Sequence, residues 1–262
     1  MANMTSSQSA AKVAAELASA AYDEVPALVD RYADDPRLQV QKARDRAIRR
    51  LEKERCEHLR VDAMYEAMVE LGGDGVVLGV DEVGRGSVAG PLTVCAVCLP
   101  SEPRIWGLND SKQLTPAKRE MLAVRIAECA RAIGMCHISP ARIDEVGMAR
   151  ALREAVAGAV KDTGLEPDCV LMDGNPLGAV PNERDVVKGD AKVACIAAAS
   201  IVAKVTRDEL MVELDAEYPG YHLAQSKGYA SAEHIQAIKD HGLSPVHRVS
   251  FCGNFLETAR LF

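Results

Sequence analysis

The chain has 262 residues, enough for one large domain or for one domain with an appendage. Its hydrophobic content of 48% is ordinary, and its formal net charge of -7 argues against a protein that coats nucleic acid without specificity. Binding through a local basic surface remains compatible with that charge. The sequence shows no signal peptide and no apolar run of about 18 residues, and its eight scattered cysteines indicate reduced thiols. We therefore expect a cytoplasmic protein without a membrane span.

The first part of the chain differs in composition from the rest. Residues 9–33 and 37–60 are rich in Ala, Leu, Glu, Lys and Arg, which predicts two helices. The second carries nine Lys or Arg against four Asp or Glu. Two interpretations stay open: a solvated helix with i,i+4 ion pairs, or a basic arm that contacts a nucleic-acid backbone. "LGGDG" at 71–75 predicts a boundary, so we expect an N-terminal helical extension over 1–72 and a second domain over 73–262.

After that boundary, strand and helix patterns alternate. β-branched and apolar runs predict strands over 76–80, 91–99, 134–139, 168–173 and 185–188. Helix signals occur over 115–133, 149–164, 194–220 and 231–242. This alternation predicts an α/β domain around a mixed sheet. Cys95 and Cys98 form a C-x-x-C, but they fall in a predicted strand without a second pair, which favours core packing over a metal site.

One stretch, "GVDEVGRGSVAGP" at 79–91, combines adjacent carboxylates with a glycine loop. A strand followed by spaced glycines is typical of a dinucleotide-binding loop, but that loop requires a helix directly afterwards. Here Pro91 is followed by a predicted strand, and the glycine spacing also differs from G-x-G-x-x-G, so the sequence argues against a dinucleotide-binding loop. Asp81 and Glu82 at the end of a buried strand need compensation, either by a salt bridge to Arg85 or by a divalent cation.

Further carboxylates follow two other predicted strands. Asp173 comes directly after an apolar run, and Asp190 follows another strand-like run where the long helix begins. Taken singly, Asp173 would shape its turn and Asp190 would cap its helix. Together with Asp81 and Glu82 they predict a site for two Mg²⁺ ions of the kind that attacks phosphates in line. His234 and His241, seven apart on one predicted helix, are interpreted as surface residues.

The glycine loop suggests how such a site would meet its substrate. Without side chains at Gly84 and Gly86, the backbone can approach a sugar–phosphate chain closely, and Arg85 supplies charge for a phosphate or for a salt bridge. Contacts at this range would sense a 2′-OH, the group that distinguishes RNA from DNA.

The chain resembles bacterial ribonuclease HII, the type 2 ribonuclease H. The resemblance covers roughly residues 74–252 and rests on seven segments in order: "GVDEVGRGSVAGP", "GLNDSKQLT", "LMDGN", "VVKGDAK", "IAAASIVAKVTRDELM", "SKGYASAEH" and "VHRVSF". It implies a ribonuclease H-like mixed sheet flanked by helices, with C-terminal helices that grip the duplex. It also implies an endoribonuclease that cleaves the RNA strand of RNA–DNA hybrids and nicks 5′ to single ribonucleotides in duplex DNA, leaving a 3′-OH and a 5′-phosphate.

The resemblance also assigns roles to residues. The family's four acidic metal ligands correspond to Asp81, Glu82, Asp173 and Asp190, and the cofactor is Mg²⁺ or Mn²⁺. The motif that reads the 2′-OH corresponds to Gly84, Arg85 and Gly86, and the junction-sensing tyrosine to Tyr229. Positions expected near phosphates are Lys112, Ser200, Lys204 and Arg207. From the residues alone, Tyr229 would be a half-buried aromatic side chain, Lys204 and Arg207 would lie on a solvent face, and Ser200 would serve close helix packing.

Other classes of protein remain as alternatives. A resolvase of the same fold would cut all-DNA junctions without the glycine loop. A non-catalytic hybrid-binding protein would not need all four carboxylates, and a small-molecule enzyme would leave them unexplained. The choice between Mg²⁺ and Mn²⁺, the preferred substrate and the role of residues 1–72 stay open. A monomer is the expected state, and a sliding-clamp contact through "GNFLETARLF" is a speculative expectation.

Overall fold

The computed structural model describes residues 8–256, and its contacts divide the chain into two units, Met1–Arg60 and Val61–Phe262. The first unit contains α1 (Ala10–Ser19), α2 (Val25–Arg31) and the start of α3 (Leu38–Gly72). The prediction of one helix over 9–33 is wrong. Pro26 lies in the first turn of α2, where its missing N–H leaves no helical hydrogen bond unmade, so it starts a new helix.

The first unit buries a small apolar cluster and exposes a basic face. Its core residues are Val13, Leu17, Val25, Leu28, Tyr32, Val40 and Ala47. On α3, four exposed cations are spaced four, three and four residues apart, which places them on one helix face. This α3 basic face consists of Lys42, Arg46, Arg49 and Lys53. None of the four forms an ion pair with any residue in the range 8–256.

The second unit is built around a mixed five-stranded sheet, which confirms the predicted fold class. The strands are β1 (Val77–Val83), β2 (Leu92–Cys98), β3 (Ala132–Ile138), β4 (Cys169–Asp173) and β5 (Glu183–Val186), in the spatial order β3-β2-β1-β4-β5. β2 pairs antiparallel with β1 and β3, whereas β4 pairs parallel with β1 and β5. The last strand lies two residues earlier than predicted, because the left-handed conformation of Lys188 (φ 57°) ends the extended run.

Helices cover both faces of this sheet. They are α4 (Pro116–Cys129), α5 (Pro140–Val146), α6 (Met148–Asp162), α7 (Ala194–Glu217), α8 (Leu223–Ser226), α9 (Ala232–His241) and α10 (Gly253–Leu256). The predicted helix over 115–133 ends four residues early, since Ala130 is already extended and leads into β3. Cys95 and Cys98 are buried in the cores on opposite sheet faces, which confirms their packing role. No helix within residues 8–256 is long and apolar enough to cross a membrane.

The alanine-rich start of α7 packs directly on the central strand. Ala194, Ala197 and Ala198 are fully buried, and a methyl group at Gly79 would collide with the backbone of Cys195. Glycine on β1 and small residues on α7 therefore allow a close approach of helix and strand. That approach brings Ser200 of α7 next to Asp81 of β1.

Candidate functional site

The topology brings the four predicted carboxylates together. Val80 of β1 pairs with Met172 of the parallel strand β4, so Asp81 and Asp173, the next residues, are neighbours at the same sheet edge. The Gly189 N–H donates to Asp173 Oδ1 at 2.6 Å and holds the turn that carries Asp190 beside them. The expectation that Asp190 caps the long helix is wrong: it lies in a separate 3₁₀ turn, Gly189–Ala191, and α7 begins at Ala194.

The cluster is rich in negative charge, which Arg85 and Lys112 compensate only in part. Burial, together with the charges of Glu82 and Asp173, raises the pKa of Asp81 to about 8, although a hydrogen bond with Ser200 partly offsets the rise. Burial and the Asp173 charge also raise the pKa of Glu82, while Arg85 opposes them. Burial and Asp173 raise the pKa of Asp190 as well. At neutral pH the cluster therefore favours a bound proton or cation.

The donor set suits a hard divalent cation. All four side chains offer carboxylate oxygens, which Mg²⁺ and Mn²⁺ prefer. Within residues 8–256 no group of three or more His, Cys, Asp or Glu side chains is placed so that it could hold a metal ion. Mg²⁺ needs few protein ligands, because it keeps several waters and is held by one or two carboxylates plus substrate phosphate. By the chemistry of their side chains these residues fit such an ion, and Asp81, Glu82, Asp173 and Asp190 would hold it.

Two of the predicted phosphate-contacting residues, Lys112 and Ser200, contact this cluster, whereas Lys204 pairs with a different carboxylate. The Lys112 ammonium is 3.7 Å from Asp190 Oδ2 and its side chain is 79% exposed. Ser200 is buried and shares a 3.0 Å hydrogen bond with Ser111, so it serves the packing and polar support of Asp81. Lys204 is paired with Asp208 at 2.7 Å. Of these side chains only Lys112 is exposed enough to meet a phosphate without rearrangement.

The predicted glycine motif forms a loop beside the acidic cluster. Gly84 adopts φ +83°, and a methyl group there would strike the guanidinium of Arg207. Gly86 has no such constraint: it is exposed, and a methyl group there would meet nothing within 4 Å. Arg85 is 61% exposed and its guanidinium is 3.5 Å from Glu82, which matches the salt bridge considered from the sequence. The fold thus requires glycine at 84, whereas it does not require glycine at 86.

Tyr229 lies on a turn that is bonded to the glycine loop. The N–H groups of Val88 and Ala89 both donate to the Gly228 carbonyl, at 2.8 and 3.1 Å. Tyr229 is 41% exposed, so it is accessible at this surface. The loop and this tyrosine therefore belong to one surface next to the carboxylates.

The burial of Arg207 contradicts the prediction that its side chain lies on a solvent face or near a phosphate. Arg207 is fully buried, and its guanidinium donates to main-chain carbonyls of the glycine loop and of the Tyr229 turn, so it neither decorates a solvent face nor reaches a phosphate. Sequence reasoning gave no role to Arg248, which is also fully buried and donates to the same loop. The sequence signal for the burial of Arg207 was its position between two apolar residues of the same helix face, Ala203 and Met211, each four residues away.

The interpretation of His234 as a surface residue is also wrong. His234 and His247 are buried and joined by a 3.0 Å hydrogen bond between their Nε2 atoms. The Ser244 N–H donates to His247 Nδ1, so His247 Nε2 carries the proton and donates to His234. His234 Nδ1 then donates to the Tyr229 carbonyl at 2.9 Å. Both rings are neutral, and burial lowers the pKa of His247 to about 4.

Comparisons with known proteins agree with this architecture. The ribonuclease HII family model matches residues 78–254, and the ribonuclease HII N-terminal domain model matches residues 9–67. Ribonuclease HII of Lachnoclostridium phytofermentans is 45% identical over 86% of this chain and 89% of its own length. The enzyme of Geobacillus thermodenitrificans is 42% identical over 83% and 85%.

Solved structures show the same fold. Ribonuclease H2 of Pyrococcus horikoshii has a TM-score of 0.61 at 27% identity, covering 71% of this chain and 99% of its own. Ribonuclease HII of Archaeoglobus fulgidus, solved in complex with PCNA, has a TM-score of 0.58 at 27% identity, covering 66% and 94%. Bst-RNase HIII, solved with Mn²⁺, shares the fold at 19% identity, with a TM-score of 0.58 and coverage of 74% and 73%. On the family match and the curated relatives, this chain belongs to the ribonuclease HII family, a family of nucleases.

Proposed function

We propose that this chain is an endoribonuclease that hydrolyses the RNA strand of RNA–DNA hybrids and nicks 5′ to single ribonucleotides embedded in duplex DNA. The observation that carries the proposal is the cluster of four carboxylates beside an open glycine loop. The cluster needs cations, and the loop leaves room for a sugar–phosphate backbone. The products are a 3′-OH and a 5′-phosphate, because water adds to phosphorus and the bond to the 3′ oxygen breaks.

The proposed cofactor is a pair of Mg²⁺ or Mn²⁺ ions held by Asp81, Glu82, Asp173 and Asp190. When bound, the ions supply the positive charge that favours attack by water and departure of the 3′ oxygen. Asp81, buried and hydrogen-bonded by the Glu82 N–H at 2.8 Å, holds its carboxylate in a fixed orientation. Lys112 adds an exposed ammonium at the edge of the cluster, where it attracts the phosphate backbone.

The loop and Tyr229 are the proposed reading elements. The exposed loop at Arg85 and Gly86 presents backbone N–H and C=O groups to the 2′-OH of the ribonucleotide, apart from the Arg85 carbonyl, which accepts from Arg248. The accessible Tyr229 ring packs against the neighbouring sugar. The Arg85 guanidinium either stays with Glu82 or turns to a phosphate.

Cellular context is part of the proposal. All eight cysteines are unpaired, which supports a reducing compartment such as the cytoplasm. We further propose a monomer. The segment "GNFLETARLF", considered for a sliding-clamp contact, lies largely outside the described residues, and the clamp contact is supported only by the archaeal relative solved with PCNA.

The decisive assay compares three labelled duplexes: one with a single ribonucleotide, an all-DNA control and a long hybrid. Each is incubated with Mg²⁺, Mn²⁺ or EDTA. We expect a metal-dependent nick 5′ to the ribonucleotide that is absent from the control and abolished by Asp190→Asn. Cleavage of the long hybrid alone would remove the role given to Tyr229. Cleavage of the all-DNA duplex would favour a resolvase-like activity.

A further inference from the structure

Arg207 contacts both of the proposed reading elements at once. Its Nε donates to the Pro91 carbonyl at 2.9 Å, and its Nη2 donates to Ser87 Oγ at 2.8 Å and to the Ala89 carbonyl at 3.2 Å. Its Nη1 donates to the Lys227 carbonyl at 2.8 Å, on the turn that carries Tyr229. The guanidinium carbon also lies 5.9 Å from the centre of the Tyr229 ring. One rigid planar group therefore joins the loop to the turn.

Arg248 holds the same loop from another side. Its Nε and Nη2 donate to the Gly90 carbonyl at 3.1 and 2.9 Å, and its Nη1 donates to the Arg85 carbonyl at 3.1 Å. The backbone of Arg248 adds a bond from its N–H to the Val88 carbonyl at 2.8 Å. Carbonyls at both ends of the loop are thus fixed by guanidinium groups beneath it.

Stability alone is a poor explanation for this arrangement. Burying a guanidinium is expensive, and apolar side chains of similar volume usually stabilise a core as well or better. Neither Arg207 nor Arg248 has a carboxylate ion pair in the part of the chain that the structure describes. Burial lowers the pKa of both side chains, which reflects this cost. Burying two guanidinium groups is explained if they fix the geometry of the glycine loop and place positive charge beneath a surface that binds anions.

We propose that Arg207 and Arg248 are positioning residues that set the shape of the loop from Gly84 to Pro91, and that Arg207 fixes its distance from Tyr229. On this basis Arg207 determines selectivity for a ribonucleotide–deoxyribonucleotide junction. The proposal rests on the function proposed above. A single ribonucleotide offers one 2′-OH, so loop and tyrosine must meet two adjacent sugars in register. A long hybrid offers a 2′-OH at every step and tolerates a displaced loop.

The test is Arg207→Lys, which keeps the charge but loses the planar fork that reaches both elements. The readout is the ratio of kcat/KM on a single-ribonucleotide duplex to kcat/KM on a long hybrid. We expect this ratio to fall about tenfold, the effect of losing one hydrogen bond from a charged donor. Tyr229→Ala should lower the same ratio, and adding Arg207→Lys to Tyr229→Ala should lower it little further, since both act through one contact.

Matched variants separate positioning from stability. Leu152→Ala creates a cavity in the buried core on the other sheet face, and at a temperature where it is folded it should leave the ratio unchanged. Ser87→Ala removes one acceptor of Arg207 together with the 2.9 Å bond that Ser87 Oγ donates to the Gly84 carbonyl, and we expect a folded protein with a fall of about fivefold in the ratio.

The outcomes are distinct. A folded Arg207→Lys protein with the wild-type ratio would overturn the inference. If Arg207→Lys does not fold, Ser87→Ala decides in the same way, and a wild-type ratio in that variant is equally fatal. A wild-type protein that never cleaves the single-ribonucleotide duplex refutes the proposed function itself, before any variant is compared.

Discussion

Gly86→Ala is expected to separate folding from function. Gly86 is exposed, its φ does not lie in the left-handed region, and an added methyl group would meet nothing within 4 Å. The substitution should therefore be neutral or raise the free energy of unfolding by about 0.4–1 kcal/mol, because alanine has less freedom in the unfolded chain. For a unit of this size that corresponds to a rise in Tm of about 1–4 °C.

Gly84→Ala is the matched control within the same loop. Its φ of +83° costs a non-glycine residue about 1–2 kcal/mol, and the methyl group would also displace the Arg207 guanidinium. We expect Gly84→Ala to lower Tm by several degrees or more. Two alanines placed two residues apart should thus change stability in opposite directions.

Activity should fall in both variants, for different reasons. The open space over Gly86 is where the sugar–phosphate backbone is proposed to lie, and a methyl group there would move it by about 1 Å, enough to cost roughly 100-fold in kcat/KM. Calorimetry gives Tm, and the single-ribonucleotide duplex gives kcat/KM. A Gly86→Ala protein with unchanged activity would refute the assigned use of that space. A Gly86→Ala protein as unstable as Gly84→Ala would refute the structural reasoning.

Three further predictions concern charge. In EDTA, Asp81→Asn should raise Tm by a few degrees because it removes a buried carboxylate. Added Mg²⁺ should raise the Tm of the wild type but not that of this variant. The activity of the variant should be lower by several orders of magnitude. The folded pKa of His247 lies below the unfolded value of about 6.5, so only the unfolded state gains a proton as pH falls from 6.5 to 4. Between pH 7 and pH 5 the wild type should lose about 2 kcal/mol of unfolding free energy more than His247→Gln does, measured by urea denaturation. If the two proteins lose the same amount, the neutral His234–His247 pair is contradicted. Replacing the four cations of the α3 basic face by glutamines should reduce the slope of log K for duplex binding against log salt concentration by about 3.6, if all four meet phosphates. An unchanged slope would identify a solvated helix.

The carboxylates of the candidate site could be predicted because they directly follow apolar strand patterns in the sequence. Carboxylates after apolar runs are costly, and the convergence of parallel strands at one edge turned Asp81 and Asp173 into neighbours. The buried basic side chains were missed for a different reason. Arg207 and His234 lie on helix faces whose other members are apolar, at Ala203 and Met211 and at Ala237 and Ile238 respectively. Their polar side chains favoured a prediction of solvent exposure, whereas the apolar spacing of these helix faces indicates burial.

The 3₁₀ turn that carries Asp190 could not be predicted from the sequence. Nothing in "VVKGDAK" shows that Asp190 lies in its own 3₁₀ turn, because that placement depends on the bond from the Gly189 N–H to Asp173, sixteen residues earlier. Such contacts follow from the assembled sheet and cannot be read from local propensity.

The partners of the glycine loop come late in the chain. The four carboxylates have all been synthesised by residue 190, whereas the groups that hold the loop come from Arg207, Gly228, Val246 and Arg248. At typical translation rates the ribosome needs roughly 3–12 seconds to add the 58 residues from 191 to 248. During that interval the nascent chain has the acidic residues but lacks the framework that orders the loop. On the proposed mechanism, substrate discrimination is the last property that a newly made molecule acquires.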